Sequence, residues 1–384
     1  MNILKKVAAL LLVGIMVFSF AACHEKDETA VTVKYGDKTE TFTSAMYLCA
    51  LMNADSEASS KVQEILADKD VKNEDITDKL FYSQKIDDKD YYTWVKDRAK
   101  ELITEYAAYK FLCADAKVEP DKDDVASIES YVDYYWNYGY SALFEPNGVS
   151  YDTYKHMSMN AAYNQAYFNS LYAEGGTKAV AESEILKTMD EKFVIANVIE
   201  VSTADLKDDE KKETKEKLDG YAARLKKGTK FEVIYKEHNN IKDDATSSKV
   251  SSTASASSVV SDTSSDATSS EAEKELTPKD AYASLLGAEG TDYETSYFKT
   301  VKDMKVGAVQ VIEDTENKLY VLVVRGDMMG DEYWTENMTP AVLQMLKGDE
   351  FDKAVAEFVK KLEVKIDKGA VKPFDVKDLY KYTK

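Results

Sequence analysis

The sequence predicts an α+β protein in which a helical domain is followed by a small unit of strands and helices. Over most of residues 44–190, apolar side chains recur at steps of three and four, the spacing of amphipathic helices. The pattern changes at residue 193, where a nine-residue run is mostly apolar and β-branched, as in a buried strand. Glycine (15) and proline (5) are scarce for 384 residues, which disfavours all-β, collagen-like and loop-built folds.

The first 23 residues predict an export signal rather than a membrane span. Two lysines precede an apolar run over 7–20, which is shorter than the roughly 20 residues of a spanning helix. Two alanines then precede Cys23, which resembles a bacterial lipobox, where cleavage before the cysteine leaves its thiol to carry diacylglycerol. We expect a lipoprotein signal peptide over 1–22, a tether over 23–30, and a lipid on Cys23 that holds the protein at the membrane. An ordinary signal peptide with an incidental cysteine is the alternative.

Charge and composition exclude several kinds of partner. The chain carries 50 Lys and Arg against 70 Asp and Glu, a net charge of −20, which disfavours binding to nucleic acid. Its three histidines are far apart, and no Walker, metalloprotease or serine-hydrolase motif occurs, so we expect neither a cofactor nor a metal. Cys49 and Cys113 could pair outside the cell, although the apolar helical patterns around both favour buried free thiols.

The helical part begins with a hairpin and continues as a series of helices. Alternating residues around a Gly-Asp turn predict a hairpin over 31–43 that leads into a helix over about 44–54. A shorter helix is expected over 59–67, within a polar stretch that ends near residue 90. The next helix has an apolar face that contains Val95, Ala99, Leu102, Ile103, Tyr106, Ala107 and Phe111.

Further helices extend this domain to residue 192. Pro120, followed by three aspartates, predicts a helix start, and that helix runs to about residue 138. A Pro-Asn-Gly sequence breaks the chain at 146–148. Helical spacing resumes over 150–174 and again over 182–192.

The second unit is predicted as a strand, two helices and a pair of strands. After the strand at 193–201, an amphipathic helix is expected over about 207–227, with a shorter one ending at residue 238. Two more strands are expected over 306–314 and 318–326, joined by a polar turn.

A Ser/Thr-rich insertion interrupts this unit. Between Thr246 and Ser270, 16 of 25 residues are Ser or Thr. A stretch with so few apolar side chains cannot bury enough surface to offset its ordering entropy, so we expect a disordered insertion over about 243–275. Beyond the unit, a strong helix over 339–362 and a strand over 363–368 close the chain.

The order of these elements resembles the extracytoplasmic foldases of the PrsA and SurA type, a family with parvulin-like peptidyl-prolyl isomerase domains. The segments that carry the resemblance are KDRAKELITEYAAYKFLCADAKVEPDKDDVASI, the run from GVSYDTYKHM to FVIANVIEV, MKVGAVQ, KLYVLVVRGD and EFDKAVAEFVKKLEVKI. The resemblance implies a helical SurA-like chaperone domain over 31–192 and a parvulin-like domain over 193–327. It also implies that a C-terminal helix and strand, over 328–384, pack back on the helical domain.

The same resemblance places two substitutions in the expected prolyl pocket. Active parvulins carry a His-Ile-Leu motif at the end of the first strand and Gly-Tyr-His-Ile-Ile at the start of the last. Here Asn197 and Tyr320 stand at the two histidine positions, and Phe298 and Met304 could line the pocket, with core packing as their alternative role. Asn and Tyr form hydrogen bonds but do not restore a pair of imidazoles. Weak or no isomerase activity is therefore expected, with an active isomerase as the alternative.

An aromatic stretch at 131–144, YVDYYWNYGYSALF, is the candidate surface for binding client polypeptides. Its members Tyr131, Tyr134, Tyr135 and Trp136 combine large apolar rings with polar groups, which suits contact with unfolded chains. The alternative is that these rings pack between helices.

Together these features predict a lipoprotein on the outer face of the cell membrane that binds exported, incompletely folded polypeptides without ATP. A solute-binding lipoprotein of a transporter is the alternative from another class. That interpretation calls for two lobes of alternating strands and helices, and the helices-only pattern of 44–190 disfavours it. The sequence leaves open whether two copies associate as a homodimer.

Overall fold

The computed structural model describes residues 28–241 and 278–379. These residues form two compact units, the first made of 28–179 with 348–379 and the second of 180–241 with 278–347. Both contain helices and antiparallel sheet, so the protein is α+β. The sequence prediction placed the first boundary after residue 192, which is later than in the structure. It placed the second boundary after residue 327, which is earlier than in the structure.

Three of the sequence predictions lie outside the described residues. They are the signal peptide over 1–22, the lipid on Cys23 and the Ser/Thr-rich insertion over about 243–275.

The strands are β1 (Thr29–Tyr35), β2 (Lys38–Thr43), β3 (Lys85–Ile86), β4 (Lys89–Asp90), β5 (Phe193–Ser202), β6 (Ala283–Gly287), β7 (Val309–Asp314), β8 (Leu319–Arg325) and β9 (Glu363–Ile366). The helices of the first half are α1 (Ser44–Asp68), α2 (Asp78–Tyr82), α3 (Tyr91–Ala116), α4 (Lys122–Tyr135), α5 (Ser141–Phe144), α6 (Tyr151–Ser158) and α7 (Asn160–Tyr172). Those that follow are α8 (Glu182–Lys192), α9 (Asp208–Lys226), α10 (Phe231–His238), α11 (Phe298–Asp303), α12 (Glu332–Val359) and α13 (Lys368–Val371).

A three-stranded antiparallel sheet ties the two ends of the first unit together. Its order is β2-β1-β9, with Val31 opposite Ile366 and Val33 opposite Val364. Val31 and Val33 are fully buried, since β1 is the central strand and its inner face meets the helices. The closing strand predicted from the sequence therefore completes the sheet that the N-terminal hairpin begins.

Helix α1 differs from the sequence prediction at a polar residue, Asp55. The two helices predicted over 44–54 and 59–67 are one continuous helix. Asp55, which lies between them, is buried, and its Oδ1 accepts a hydrogen bond from the Tyr91 hydroxyl at 2.8 Å. Asp55 thus belongs to the packing of α1 on α3 rather than to a surface loop.

Aromatic rings hold the end of α12 within the first unit. Phe351 is 1% exposed, and its ring centroid lies 6.2 Å from that of Tyr109, in a stacked arrangement, and 5.2 Å from that of Phe168. Tyr167 and Tyr172 complete the set, at 5.8 Å and 6.5 Å. The C-terminal part of α12, which we call the return helix, is therefore part of the core of this unit.

The second unit is built on a four-stranded antiparallel sheet in the order β6-β5-β8-β7. Because side chains alternate along a strand, the two faces of the sheet carry different residues. One face packs with α9 and α10 in a cluster of Ile199, Leu218, Tyr221, Ala222, Phe231, Ile234, Tyr320 and Leu322. The other packs with α11 in a cluster of Val194, Ala196, Leu286, Tyr297, Val301, Ile312, Val321 and Val323.

The structure departs from the sequence prediction at three elements of this unit. Strand β6 and helix α11 were not predicted, since elements of five and six residues are too short to show a clear hydrophobic period. Helix α12 begins at Glu332 rather than at 339, with Pro340 inside it. Its start is set by the buried Asp331, whose Oδ1 accepts a hydrogen bond from the Tyr333 N–H at 3.3 Å.

Candidate functional site

Helix α4 and the wide turn that follows it place a group of tyrosines on the surface of the first unit. Asp121 caps the helix by accepting a hydrogen bond from the Asp123 N–H at 2.8 Å. Val132 and Trp136, one turn apart, point into the core and are 0% and 7% exposed. Side chains on the opposite side of the helix therefore face solvent.

Four tyrosine side chains on that outer side form what we call the tyrosine face: Tyr131, Tyr134, Tyr135 and Tyr138. Tyr131, Tyr134 and Tyr138 are 44%, 59% and 64% exposed, and Tyr135 is half-buried. Exposed aromatic rings are unusual for a soluble surface and mark candidate interaction sites. Tyr138 was not among the residues predicted from the sequence.

Ring contacts organise the tyrosine face. The rings of Tyr134 and Tyr138 stack with centroids 5.6 Å apart and planes 9° from parallel. Tyr131 and Tyr135 form a second pair at 4.3 Å, and Tyr134 meets Tyr135 edge-on at 5.2 Å. The exposed rings are thus held by one another, which lowers the entropy lost when a ligand covers them.

Trp136 is not part of this surface, which corrects the sequence prediction. Its ring lies 6.3 Å from Phe144, 5.8 Å from Tyr154 and 5.6 Å from Tyr151. It anchors α4 to the core, so it is not available to a client. The residue types along 131–136 do not show this difference; the direction of each side chain on the helix decides it.

One tyrosine of this face and one beside it have raised pKa values. Burial, with a smaller contribution from Tyr135, raises the pKa of Tyr131 above its ordinary value. On the flank of the helix, Asp133 accepts a hydrogen bond from Tyr151, which raises the pKa of the Tyr151 hydroxyl. The hydroxyls of Tyr131 and Tyr151 therefore stay protonated at neutral pH and can donate hydrogen bonds.

The structure does not bring the four prolyl-pocket candidates together. Asn197 and Tyr320 lie on the face of the second-unit sheet that α9 and α10 cover, where Tyr320 is 7% exposed. Phe298 and Met304 pack with the cluster on the opposite face. The sheet itself separates the two pairs.

Asn197 instead lines a small cleft beside the first half of β5 and the C-terminal end of β8. The cleft has a volume of about 210 Å³, and its charged lining residues are Lys279, Asp280, Arg325, Asp327 and Asp331. The Asn197 Nδ2 donates a hydrogen bond to Asp280 Oδ2 at 2.7 Å, which fixes the amide group. Ile195, Ala283 and Val324 also line the cleft, which therefore combines charged groups with apolar surface.

Arg325 contributes an unusual buried charge to that cleft. It is 9% exposed, and neither its Nε nor its Nη1 has a hydrogen-bond partner within 28–241 and 278–379. Burial lowers the pKa of the guanidinium, which the carboxylates of Asp190 and Asp327 partly oppose. The charged residues that line this cleft were not predicted from the sequence. Lys279 and Asp280 follow the Ser/Thr-rich insertion, and no local pattern marks them.

The two cysteines described by the structure are free and buried, as the apolar patterns around them favoured. Burial raises the pKa of the Cys49 thiol to about 12 and that of Cys113 to about 11. Both thiols therefore stay protonated at neutral pH and are poor nucleophiles.

Two searches of the described residues gave no candidate. No three His, Cys, Asp or Glu side chains within them are placed to hold a metal ion. None of the helices in this part of the chain combines the length and apolar character needed to cross a membrane.

Comparison with solved structures gives five similar chains, among them three foldase proteins. A foldase protein PrsA from Streptococcus pneumoniae is 13% identical, with a TM-score of 0.37 over 71% of this chain and 86% of that one. PrsA from Lactococcus lactis is also 13% identical, with a TM-score of 0.37 over 93% and 100% of the two chains. PrsA from Bacillus subtilis is 20% identical, with a TM-score of 0.31 over 72% and 89%. Neither the protein-family models nor the curated proteins gave a match.

Proposed function

We propose that this protein is a lipid-anchored, extracytoplasmic chaperone that binds exported, unfolded polypeptides. The observation that carries the proposal is the tyrosine face, in which three side chains are 44–64% exposed while their rings contact neighbouring rings. Tyrosine provides a large apolar area and a polar edge, and it loses little entropy when it binds. Such a surface binds many apolar sequences with modest affinity. A chaperone needs modest affinity because it must release its client.

The anchor is the second part of the proposal. The sequence over 1–23 supports export and lipid attachment at Cys23. An acyl anchor would hold the chain at the outer face of the membrane, where exported polypeptides emerge unfolded.

A test of client binding uses residues 24–384, which contain every described residue. We expect this chain to suppress the aggregation of a reduced, unfolded protein, measured by light scattering. A triple variant, Tyr131→Ser, Tyr134→Ser and Tyr138→Ser, should need at least about tenfold more chain for the same suppression, since interface aromatics are often worth more than 1 kcal/mol each.

The matched control is Tyr82→Ser, the same change at an exposed tyrosine outside the face, 38% exposed. It should suppress aggregation as the unmodified chain does, and circular dichroism should show that both variants are folded. Equal suppression by the triple variant would remove the tyrosine face from client binding.

We also propose that the second unit has weak or no prolyl isomerase activity. Asn197 is held by Asp280, and Tyr320 is covered by helices. Phe298 and Met304 lie across the sheet from both. Among the described residues that line the cleft, none replaces the paired imidazoles of the family.

The isomerase proposal predicts that the rate of a proline-limited refolding reaction is unchanged by substoichiometric amounts of residues 24–384. The uncatalysed reaction takes tens to hundreds of seconds, so acceleration is easy to detect. Acceleration would show an active isomerase, and an Asn197→Ala variant would then show whether the cleft is its site.

A further inference from the structure

The tyrosine face also carries information about which client segments it prefers. We propose that it selects polypeptide segments that combine aromatic or apolar side chains with Lys or Arg, and that it disfavours acidic segments. This inference rests on the proposed function, because it names the class of client for the same surface.

The rings supply the first reason. The face of a tyrosine ring is electronegative and attracts a Lys or Arg placed over it. Tyr134 and Tyr138 are the most exposed of the four, so their rings are open to an incoming side chain. The cation–π contacts of the described residues involve other rings, such as Tyr106 and Tyr221, and no lysine of the described residues lies over Tyr134 or Tyr138.

Charge along the helix supplies the second reason. From Glu119 to Glu145 the sequence carries seven carboxylates and a single basic residue, Lys122. Among the described residues, the one ion pair recorded for these carboxylates joins Glu129 to Lys155, at 2.7 Å. The surroundings of the face are therefore negative at neutral pH.

Helix geometry decides which of these charges lie beside the rings. At 3.6 residues per turn, Asp124 lies on the same side of α4 as Tyr131, about two turns earlier, and Asp123 lies on the side of Tyr134, about three turns earlier. Lys122 falls on the other flank with Glu129. Asp123 and Asp124 thus lie toward the N-terminal end of the tyrosine face, and α4 itself places no lysine or arginine beside its rings.

Among the described residues, the ion pair of this group of carboxylates is made by Glu129 and leaves Asp123 and Asp124 without a cationic partner. Burial raises the pKa of Asp124, and the like charges of Asp121 and Asp123 add to that rise. About 10 Å separates Asp124 from Tyr131 along the helix axis, at 1.5 Å per residue. Three or four residues of extended client chain span that distance, so one segment can place a ring on the tyrosines and a cation beside the carboxylates.

Three fluorescent nine-residue peptides test the preference. They share the same Phe and Leu positions and carry Arg, Gln or Glu at the remaining ones, and residues 24–384 are titrated into each while anisotropy is measured. We expect the Arg peptide to bind about 5- to 20-fold more tightly than the Glu peptide at low salt, with the Gln peptide between them. The difference should shrink as salt screens the charges.

Matched variants separate a local preference from the attraction of the whole acidic chain. Asp123→Asn with Asp124→Asn should lower the Arg-to-Glu affinity ratio by about threefold, close to the contribution of one or two exposed charges. Asp208→Asn with Asp209→Asn makes the same change in the first turn of α9 and should leave the ratio unchanged. A Tyr134→Leu variant should bind the Gln peptide but lose part of the Arg preference, which Tyr134→Phe should keep.

Each outcome has a distinct meaning. Equal affinities for the three peptides would overturn the charge preference and leave the proposed function standing. An equal loss of ratio in the α9 control would also overturn it, since the effect would then come from net charge. If no peptide bound at all, both the preference and the proposed function would fail.

Discussion

Replacing Phe351 with alanine is expected to destabilise the first unit by about 3–5 kcal/mol, the usual cost of removing a buried phenylalanine ring. Phe351 is 1% exposed and is surrounded by the rings of Tyr109, Tyr167, Phe168 and Tyr172. A cavity among so many rigid rings cannot close by small rotations, so the cost should lie near the upper end.

Urea unfolding followed by tryptophan fluorescence measures this loss. Trp94 and Trp136 report on the first unit. Trp334 lies in the second unit and can be replaced by phenylalanine both in the reference chain and in the Phe351→Ala variant. That replacement is mild, because the Trp334 Nε1 is buried without a hydrogen-bond partner among the described residues.

Lys353→Ala is the control on the same helix. Its side chain is exposed, so the change should fall within about 0.5 kcal/mol. A loss below about 1 kcal/mol for Phe351→Ala would mean that the return helix is not part of the first core. Together with the β1–β9 pairing, a large loss would explain why residues far apart in sequence fold as one unit.

Replacing Leu218 with alanine is expected to destabilise the second unit by about 2–5 kcal/mol. Leu218 is fully buried where α9 packs on the sheet, in contact with the cluster that contains Ile199, Ile234 and Leu322. Removing the Leu218 side chain leaves a cavity between α9 and the sheet. This cavity should loosen the packing of the helices on the sheet face that contains Tyr320.

Hydrogen-exchange mass spectrometry resolves this effect by segment. Protection of β5 and α9 should fall in Leu218→Ala, while α3 in the first unit keeps its protection. Binding of the Arg peptide should be unchanged, because the tyrosine face belongs to the first unit. Glu216→Ala, an exposed position on the same helix, is the control. A loss of peptide binding in Leu218→Ala would falsify the assignment of the client surface to the first unit alone.

Part of the candidate site was accessible from the sequence. The aromatic stretch and three of its four tyrosines were singled out by composition alone. Its fourth member, Tyr138, and the burial of Trp136 were not, since a helix turns each side chain by a fixed angle and the inward direction depends on what the helix packs against. For the prolyl pocket, the resemblance supplied residue positions, but the alternation along β5 and β8 placed the four side chains on two faces.

The sequence by itself determined several of the regular elements. Helix α8 was predicted at its observed bounds, and β5, α9 and β8 within one or two residues, because hydrophobic period, turn residues and caps are local properties of the chain. Only the tertiary structure decided that Asp55 is a core residue, that β9 closes the sheet begun by β1, and that Arg325 is a buried charge. Each of these depends on contacts between residues distant in sequence, whose free energy no local pattern records.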